Sequence, residues 1–308
     1  PDAAKFRWTC EGAWAVKEFL RSRPQSQIDR FIKRVKEGRI ELTAMYFNFD
    51  ELPDEQTLAA SLDPLKEFKK LGLEDIQVAT QNDVNGIGWC FNEYFPEIGV
   101  KYLTMGVNLH KAIAPFDMPT YFWWTSPSGK RMLAYYGEHY MHGNGLGVNG
   151  TDFDAFENKL LGYLRGLEQR DFKYDIMGCE FLGIGGDNSA PSKAACEIVK
   201  QWNEKYEWPK VRLSLYKDYL GKIEDRYGKD IPAIRGAWPD WWTDGFASGA
   251  FESAASRTTQ SEMIATQNAL SITKLLGSEL PKRVYNEVEE VNDCLMFYGE
   301  HTYGFDAS

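Results

Sequence analysis

Nowhere in these 308 residues do about 18 apolar residues run together, which excludes a membrane-spanning helix. Cysteine is scarce and odd in number. The five, Cys10, Cys90, Cys179, Cys196 and Cys294, include no C-x-x-C pair, which argues against a disulfide framework or a zinc knuckle. Several fall in apolar runs, so they read as buried thiols. Bases are outnumbered, 35 against 45 acids, for a formal charge of -10, and no Lys/Arg cluster breaks the trend. Such a surface repels nucleic acid and anionic membranes; a neutral ligand or a cationic transition state suits it better. There is no internal repeat and no low-complexity tract. An initiating Met and a signal peptide are also lacking, so the sequence reads as a piece of a longer protein, and its compartment stays unknown.

What is present is a large apolar complement, 43% hydrophobic and 14% aromatic, enough for a sizeable core. Ten Trp and sixteen Tyr favour a carbohydrate ligand, because flat aromatic faces pack against the C–H faces of sugars, although each ring read singly is equally a core residue.

Short apolar or β-branched runs alternate with amphipathic stretches. Strands are expected at 5–10, 40–47, 76–80, 102–107, 176–182 and 211–215, and helices at 13–22, 25–37, 55–71, 89–96, 153–169 and 192–206. Between them, two aromatic-rich runs flank Ser126-Pro127-Ser128-Gly129 and predict a hairpin over 121–136. The glycines of 143–150 argue against a helix there. Repeated strand–helix units predict a parallel sheet with functional loops at the strands' C-terminal ends. From 251 to 299 the pattern is helical apart from 277–281, which places a boundary near 240–250.

Three strand ends carry polar residues of possible chemical use. Asp83 follows the apolar run at 76–79 within Thr80-Gln81-Asn82-Asp83-Val84-Asn85-Gly86; it is a candidate nucleophile or metal ligand, or else the cap of the next helix. Asp187 sits in Gly183-Ile184-Gly185-Gly186-Asp187-Asn188, which fits neither G-x-G-x-x-G nor G-x-x-x-x-G-K-[ST]. Those glycines read as letting the backbone approach a ligand, with helix capping again the plain alternative. Glu300-His301 follows the apolar run 294–298; His301 is one of only four histidines, and a lone His is more often structural than a ligand.

In order along the chain, Phe6-Arg7-Trp8-Thr9 with Glu11, Gly38-Arg39-Ile40-Glu41 with Asn48-Phe49-Asp50, Asn82-Asp83-Val84-Asn85-Gly86, Gly185-Gly186-Asp187-Asn188, Asp240-Trp241-Trp242-Thr243-Asp244-Gly245 with Arg257, and Glu300-His301 together resemble glycoside hydrolase family 38, the α-mannosidase family and its bacterial relatives. No single motif is specific; their collinear order carries the resemblance.

The resemblance implies an α/β fold, a (β/α)7-type barrel over 1–245 followed by the start of a helical bundle over 246–308. It implies a retaining mechanism with Asp83 as nucleophile and Asp187 as acid/base, their carboxyls about 5–5.5 Å apart. Asp83 must then stay ionised and Asp187 protonated, which calls for a drier setting or a like-charged neighbour. It further implies one Zn2+ held by Asp83, His301 and an early His-x-Asp pair belonging to a strand ahead of Phe6. Tyr140, His139, Trp241, Trp242 and Glu300 fall where the family contacts substrate. In the α-mannosidases an acid follows the late His; here Thr302 does, with Glu300 on the other side. The implied partners are a carbohydrate and the remainder of the parent polypeptide. Two other readings stay open: a metal-dependent polysaccharide deacetylase-type hydrolase, which needs an Asp-His-His set, and a non-catalytic carbohydrate-binding remnant of the fold.

Overall fold

The computed structural model describes residues 2–50, 52–108, 118–239 and 244–301. Its elements, in chain order, are β1 (Trp8–Cys10), α1 (Ala13–Ser22), α2 (Gln25–Lys36), β2 (Ile40–Leu42), α3 (Glu55–Ala60), α4 (Pro64–Lys70), β3 (Val78–Asp83), α5 (Phe91–Glu97), β4 (Tyr102–Val107), β5 (Tyr121–Thr125), β6 (Arg131–His139), α6 (His142–Leu146), α7 (Phe153–Gln169), α8 (Ala194–Lys205), α9 (Tyr216–Tyr227), β7 (Ala233–Arg235), α10 (Ala250–Leu275) and α11 (Lys282–Tyr298). A single turn of 3-10 helix, Asp244–Ala247, precedes α10.

Among the described residues the strands form a two-stranded sheet, β1-β2, and a five-stranded sheet in the order β3-β4-β6-β5-β7. β1-β2, β3-β4 and β4-β6 pair in parallel, and an isolated parallel bridge, Thr43 to Val78, joins the two sheets. The hairpin β5-β6 is antiparallel, closed by Ser126 N–H to Lys130 C=O at 2.8 Å, with Gly129 at φ 92.

Period-two alternation along the central strands builds two cores. Phe122, Trp124, Met132 and Ala134 face one side with α1 and α5; Tyr121, Trp123, Leu133 and Tyr135 face the other, covered by Tyr219, Leu220 and Ile223 of α9. Strands buried on both faces read as unbroken apolar runs, which is why 102–107 is legible as a strand without alternation. A third cluster joins Phe156 and Leu160 of α7 to Trp202 of α8. Trp124, Trp202 and Trp238 are fully buried, so these three rings serve the core rather than a sugar.

The structure corrects several expectations. The expected strands 176–182 and 211–215 form no ladder, and a closed (β/α)7 barrel is not seen among the described residues. Their backbone groups are satisfied otherwise: Gly178 C=O accepts from the Tyr135 hydroxyl at 2.8 Å, Glu180 C=O from Gly143 N–H at 2.8 Å, and Leu182 N–H donates to Asn144 Oδ1 at 2.7 Å. Asn203 closes both backbone groups of Val211, at 2.7 and 3.0 Å. Side-chain amides, a hydroxyl and a turn N–H thus take the place of a neighbouring strand. The helix expected over 55–71 divides into α3 and α4, because Pro64 has no N–H to continue the first ladder. A short α6 forms despite its glycines, ending on Gly147 at φ 89, and α9 and β7 are unanticipated. Burial pushes the thiols of Cys10 and Cys179 up to about 12 and that of Cys90 to about 11, but Cys294 is exposed on the outer side of α11.

The hairpin is tied to α5 by Glu93, which accepts from Ser128 N–H at 3.0 Å and Ser128 Oγ at 2.6 Å. These bonds draw its carboxyl down from 4.5 to about 2. A depressed folded value stabilises above the unfolded value, and the contribution disappears as pH falls through the folded one. Glu93→Gln should therefore lower Tm at pH 6, with the gap to wild type closing towards pH 2 in thermal melts; a gap independent of pH would contradict this account.

Candidate active site

The site is assembled at the C-terminal ends of β3, β4 and β6. Asp83, the last residue of β3, has φ 70. A non-glycine residue there carries strain of about 1–3 kcal/mol that the surroundings must hold. Beside it on β4, the backbone runs to Asn108, whose Nδ2 donates to Asp83 Oδ1 at 2.6 Å. Beyond β6, Tyr140 gives its hydroxyl hydrogen bond to Asp83. His301, from the far end of the chain, places Nε2 3.1 Å from Asp83 Oδ2.

That long-range partner is held by a local graft. Phe49 and Glu300 form an isolated antiparallel bridge, Asp50 N–H donates to Gly299 C=O at 3.0 Å, and His301 N–H donates to Asn48 C=O at 2.9 Å. Asn48 also binds the other side of the site: its Oδ1 accepts Asn82 N–H at 2.9 Å and its Nδ2 donates to Glu11 Oε1 at 2.8 Å. One residue thereby couples β3, the β1–α1 connection and the end of α11.

The electrostatics keep Asp83 anionic. Burial pushes its carboxyl up, but the hydrogen bonds from His301, Asn108 and Tyr140 outweigh it and leave the value below 3.8. Burial works against a charged His301, yet Asp83 on one nitrogen and Glu300, 2.5 Å from the other, raise it to about 10. Tyr140 is raised by burial and by the charges of Asp83 and Asp187.

Asp187 itself is exposed, in a loop where Gly185, Gly186 and Asn188 all have positive φ, and its Oδ1 accepts Asn188 N–H at 2.8 Å. The dry setting expected for a resting acid is absent there. Neither candidate acid caps a helix. α5 begins at Phe91 after Cys90, and α8 at Ala194 after Lys193, so the capping alternative fails for Asp83 and Asp187 alike.

Of the other expected contacts, Tyr140 and Glu300 join the site and His139 stands at its margin. His139 accepts Met141 N–H on Nδ1 at 3.0 Å and stacks on Tyr140 at 4.4 Å. His142 packs against Tyr163 of α7, 4.6 Å between rings. Trp241, Trp242 and Thr302 lie outside the described residues.

Among the described residues no three of His, Cys, Asp and Glu gather to hold a metal ion. Asp83 and His301 fit two places of such a set: bonds of about 2.0–2.2 Å at a tetrahedral angle set donors about 3.3 Å apart. Their atoms are 3.1 Å apart. A metal there would displace the proton His301 otherwise shares with Asp83.

Sequence reasoning missed Asn108 and Glu180. Glu180 Oε1 accepts from Asn82 Nδ2 at 2.8 Å and Oε2 from Tyr216 OH at 2.6 Å. Burial first, and then the charge of Glu11, raises its carboxyl to about 8. The signal was available: it is the lone acid in the apolar run 176–182. Asn82 also accepts Gly106 N–H on Oδ1 at 3.1 Å.

The model of a family described as the glycosyl hydrolases family 38 N-terminal domain matches residues 1–237. Two solved structures share the fold. An α-mannosidase from Enterococcus faecalis V583 is 15% identical with a TM-score of 0.58, covering 77% of this chain and 26% of that one. A glycosyl hydrolase family 38 protein from Enterococcus faecalis is 12% identical with a TM-score of 0.64, covering 98% and 32%. The chain thus spans about a third or less of the length of these relatives. No curated protein sequence matches it.

Gly106 is fixed by this packing. A Cβ there would lie 2.3 Å from Asn82 Oδ1, 2.8 Å from Tyr140 Cβ and 3.0 Å from Glu180 Oε2. Gly106→Ala should cost about 1–3 kcal/mol in urea unfolding, the usual cost of overpacking. An unchanged unfolding midpoint would show that β4 does not approach β3 this closely.

Proposed function

Because the chain belongs to glycoside hydrolase family 38, we propose that it serves the zinc-dependent, retaining hydrolysis of α-mannosides or closely related glycosides. The observation that carries this reading is the Asp83–His301 pair: a strained, partly buried carboxylate, kept anionic by three donors from separate elements. On this reading residues 1–245 are the catalytic (β/α) unit, completed as a barrel in the parent protein, and 246–308 begin a helical region.

Asp83 is the nucleophile. Its free electron pair attacks the anomeric carbon while Asp187 donates a proton to the departing oxygen, giving a glycosyl ester on Asp83. Water then attacks the same carbon, Asp187 takes its proton, and the Asp83 carboxylate is released. The donors from Asn108 and Tyr140 hold the carboxylate in one orientation for both steps. Asp187, exposed in the free protein, gains its dry setting when a sugar displaces water from the glycine loop. Tyr140, hydrogen-bonded to Asp83, would contact the sugar on this reading. Zinc would be held by Asp83 and His301, with further donors from beyond the described residues, and when bound it would polarise sugar hydroxyls as a Lewis acid. A deacetylase-type set finds less support, because the groups bonded to Asp83 are His301, Asn108 and Tyr140, while His142 lies against Tyr163.

The test pairs elemental analysis with hydrolysis of p-nitrophenyl α-mannoside, on this chain and on the longer parent. The expected result is about one zinc per parent chain, lost together with turnover in Asp83→Ala. Asp187→Ala should lower kcat about 10²–10⁴-fold, the range for a general acid, and less for the activated p-nitrophenyl leaving group than for a disaccharide. A parent with neither zinc nor turnover would sink the reading.

A further inference from the structure

We propose that Glu180 is a positioning residue for Asp83: by gripping the Asn82 carboxamide it fixes the last peptides of β3, and so the left-handed turn that presents Asp83 to His301. The proposal rests on Asp83 being the reacting carboxylate.

Asn82 precedes the strained residue and carries three bonds that leave it little freedom. Its N–H goes to Asn48 Oδ1 at 2.9 Å, its Oδ1 accepts Gly106 N–H at 3.1 Å, and its Nδ2 donates to Glu180 Oε1 at 2.8 Å. A carboxamide can turn over and exchange its O and N. Here Gly106 demands an acceptor and Glu180 offers one, so only a single orientation satisfies both. Tyr216 OH, 2.6 Å from Oε2, anchors the other end of Glu180 to the start of α9. The arrangement links α9 to β3 and β4 at the level just below the site.

Without Glu180 the Nδ2 of Asn82, on a residue only 3% exposed, would be left without that acceptor. The carboxamide would then seek another partner by rotating, and the peptide leading into Asp83 would move with it. A left-handed aspartate relaxes readily once its neighbours stop determining it. Small displacements of a nucleophile are costly in rate and nearly silent in substrate binding.

Glu180→Met keeps the volume and removes both acceptors. It should lower kcat for aryl glycosides about 10–100-fold with KM little changed, the cost of a misplaced reacting group. Glu180→Gln should recover most of that loss, since its Oε1 still accepts from Asn82 and its Nε2 can donate to the Tyr216 oxygen. A swapped pair guards against a variant that fails to fold. Asn82→Asp alone removes the amide that donates to Glu180 and should lose kcat, whereas adding Glu180→Gln returns an amide donor to the contact and should regain it. Wild-type kcat in Glu180→Met, a rise in KM alone, or no recovery in the swapped pair would overturn the proposal.

Crystal structures of wild type and Glu180→Met separate this idea from the assigned chemistry. If wild type hydrolyses no glycoside, the functional reading falls and the structures alone decide. Asp83 leaving its positive φ and drawing away from His301 in the variant supports the positioning role; an unmoved Asp83 ends it.

Discussion

A carboxylate at the end of a buried strand stays ionised only if donors are brought to it from elsewhere, and Asp83 has none of its own to call on. Its donors come from Asn108 at the end of β4, Tyr140 at the end of β6 and His301 beyond α11. The first two arrive because β3, β4 and β6 pair in parallel, so that their C-terminal ends lie side by side. The third arrives because the chain around 48–50 receives the chain around 299–301. Almost every feature of the site follows from satisfying that one charge.

The same requirement explains the polar layer beneath it. Asn48, Asn82 and Glu180 would be misfits in an apolar interior if each stood alone. As a network, each amide donates to an acid and the backbone fills the remaining valences, with Gly106 making room for the closest approach. Burial, and then the charge of Glu11, push the Glu180 carboxyl up to about 8.

The strand ends were legible because a polar residue after an apolar run has few structural duties. Asp83, Asp187 and His301 stand out on that ground, and the structure brings Asp83 and His301 into contact, although of the three only Asp83 ends a strand: the run 176–182 forms none and 294–298 closes α11. Asn108 and Glu180 were not legible. An Asn after a strand resembles any loop residue, and an acid inside an apolar run reads as an interruption until its partners on other elements are known. The segments 176–182 and 211–215 show the converse error. Their patterns are those of strands, yet Tyr135, Asn144 and Asn203 take backbone groups that a neighbouring strand would have used.

The sequence by itself determined the alternation of strands and helices, the hairpin, the helical stretch after residue 250 and Asp83 as the acid at the end of a strand. Each of these depends on periodicity or on neighbours within a few residues, which the sequence contains directly. Only the tertiary structure decided that Asp83 is strained and anionic, that His301 pairs with it from 218 positions away, that His142 serves α7, and that Asn82 and Glu180 interlock below the site. Those outcomes depend on which hydrogen-bonding groups meet across the fold, and a buried donor or acceptor is satisfied by whatever folding brings near it, not by what stands beside it in the chain.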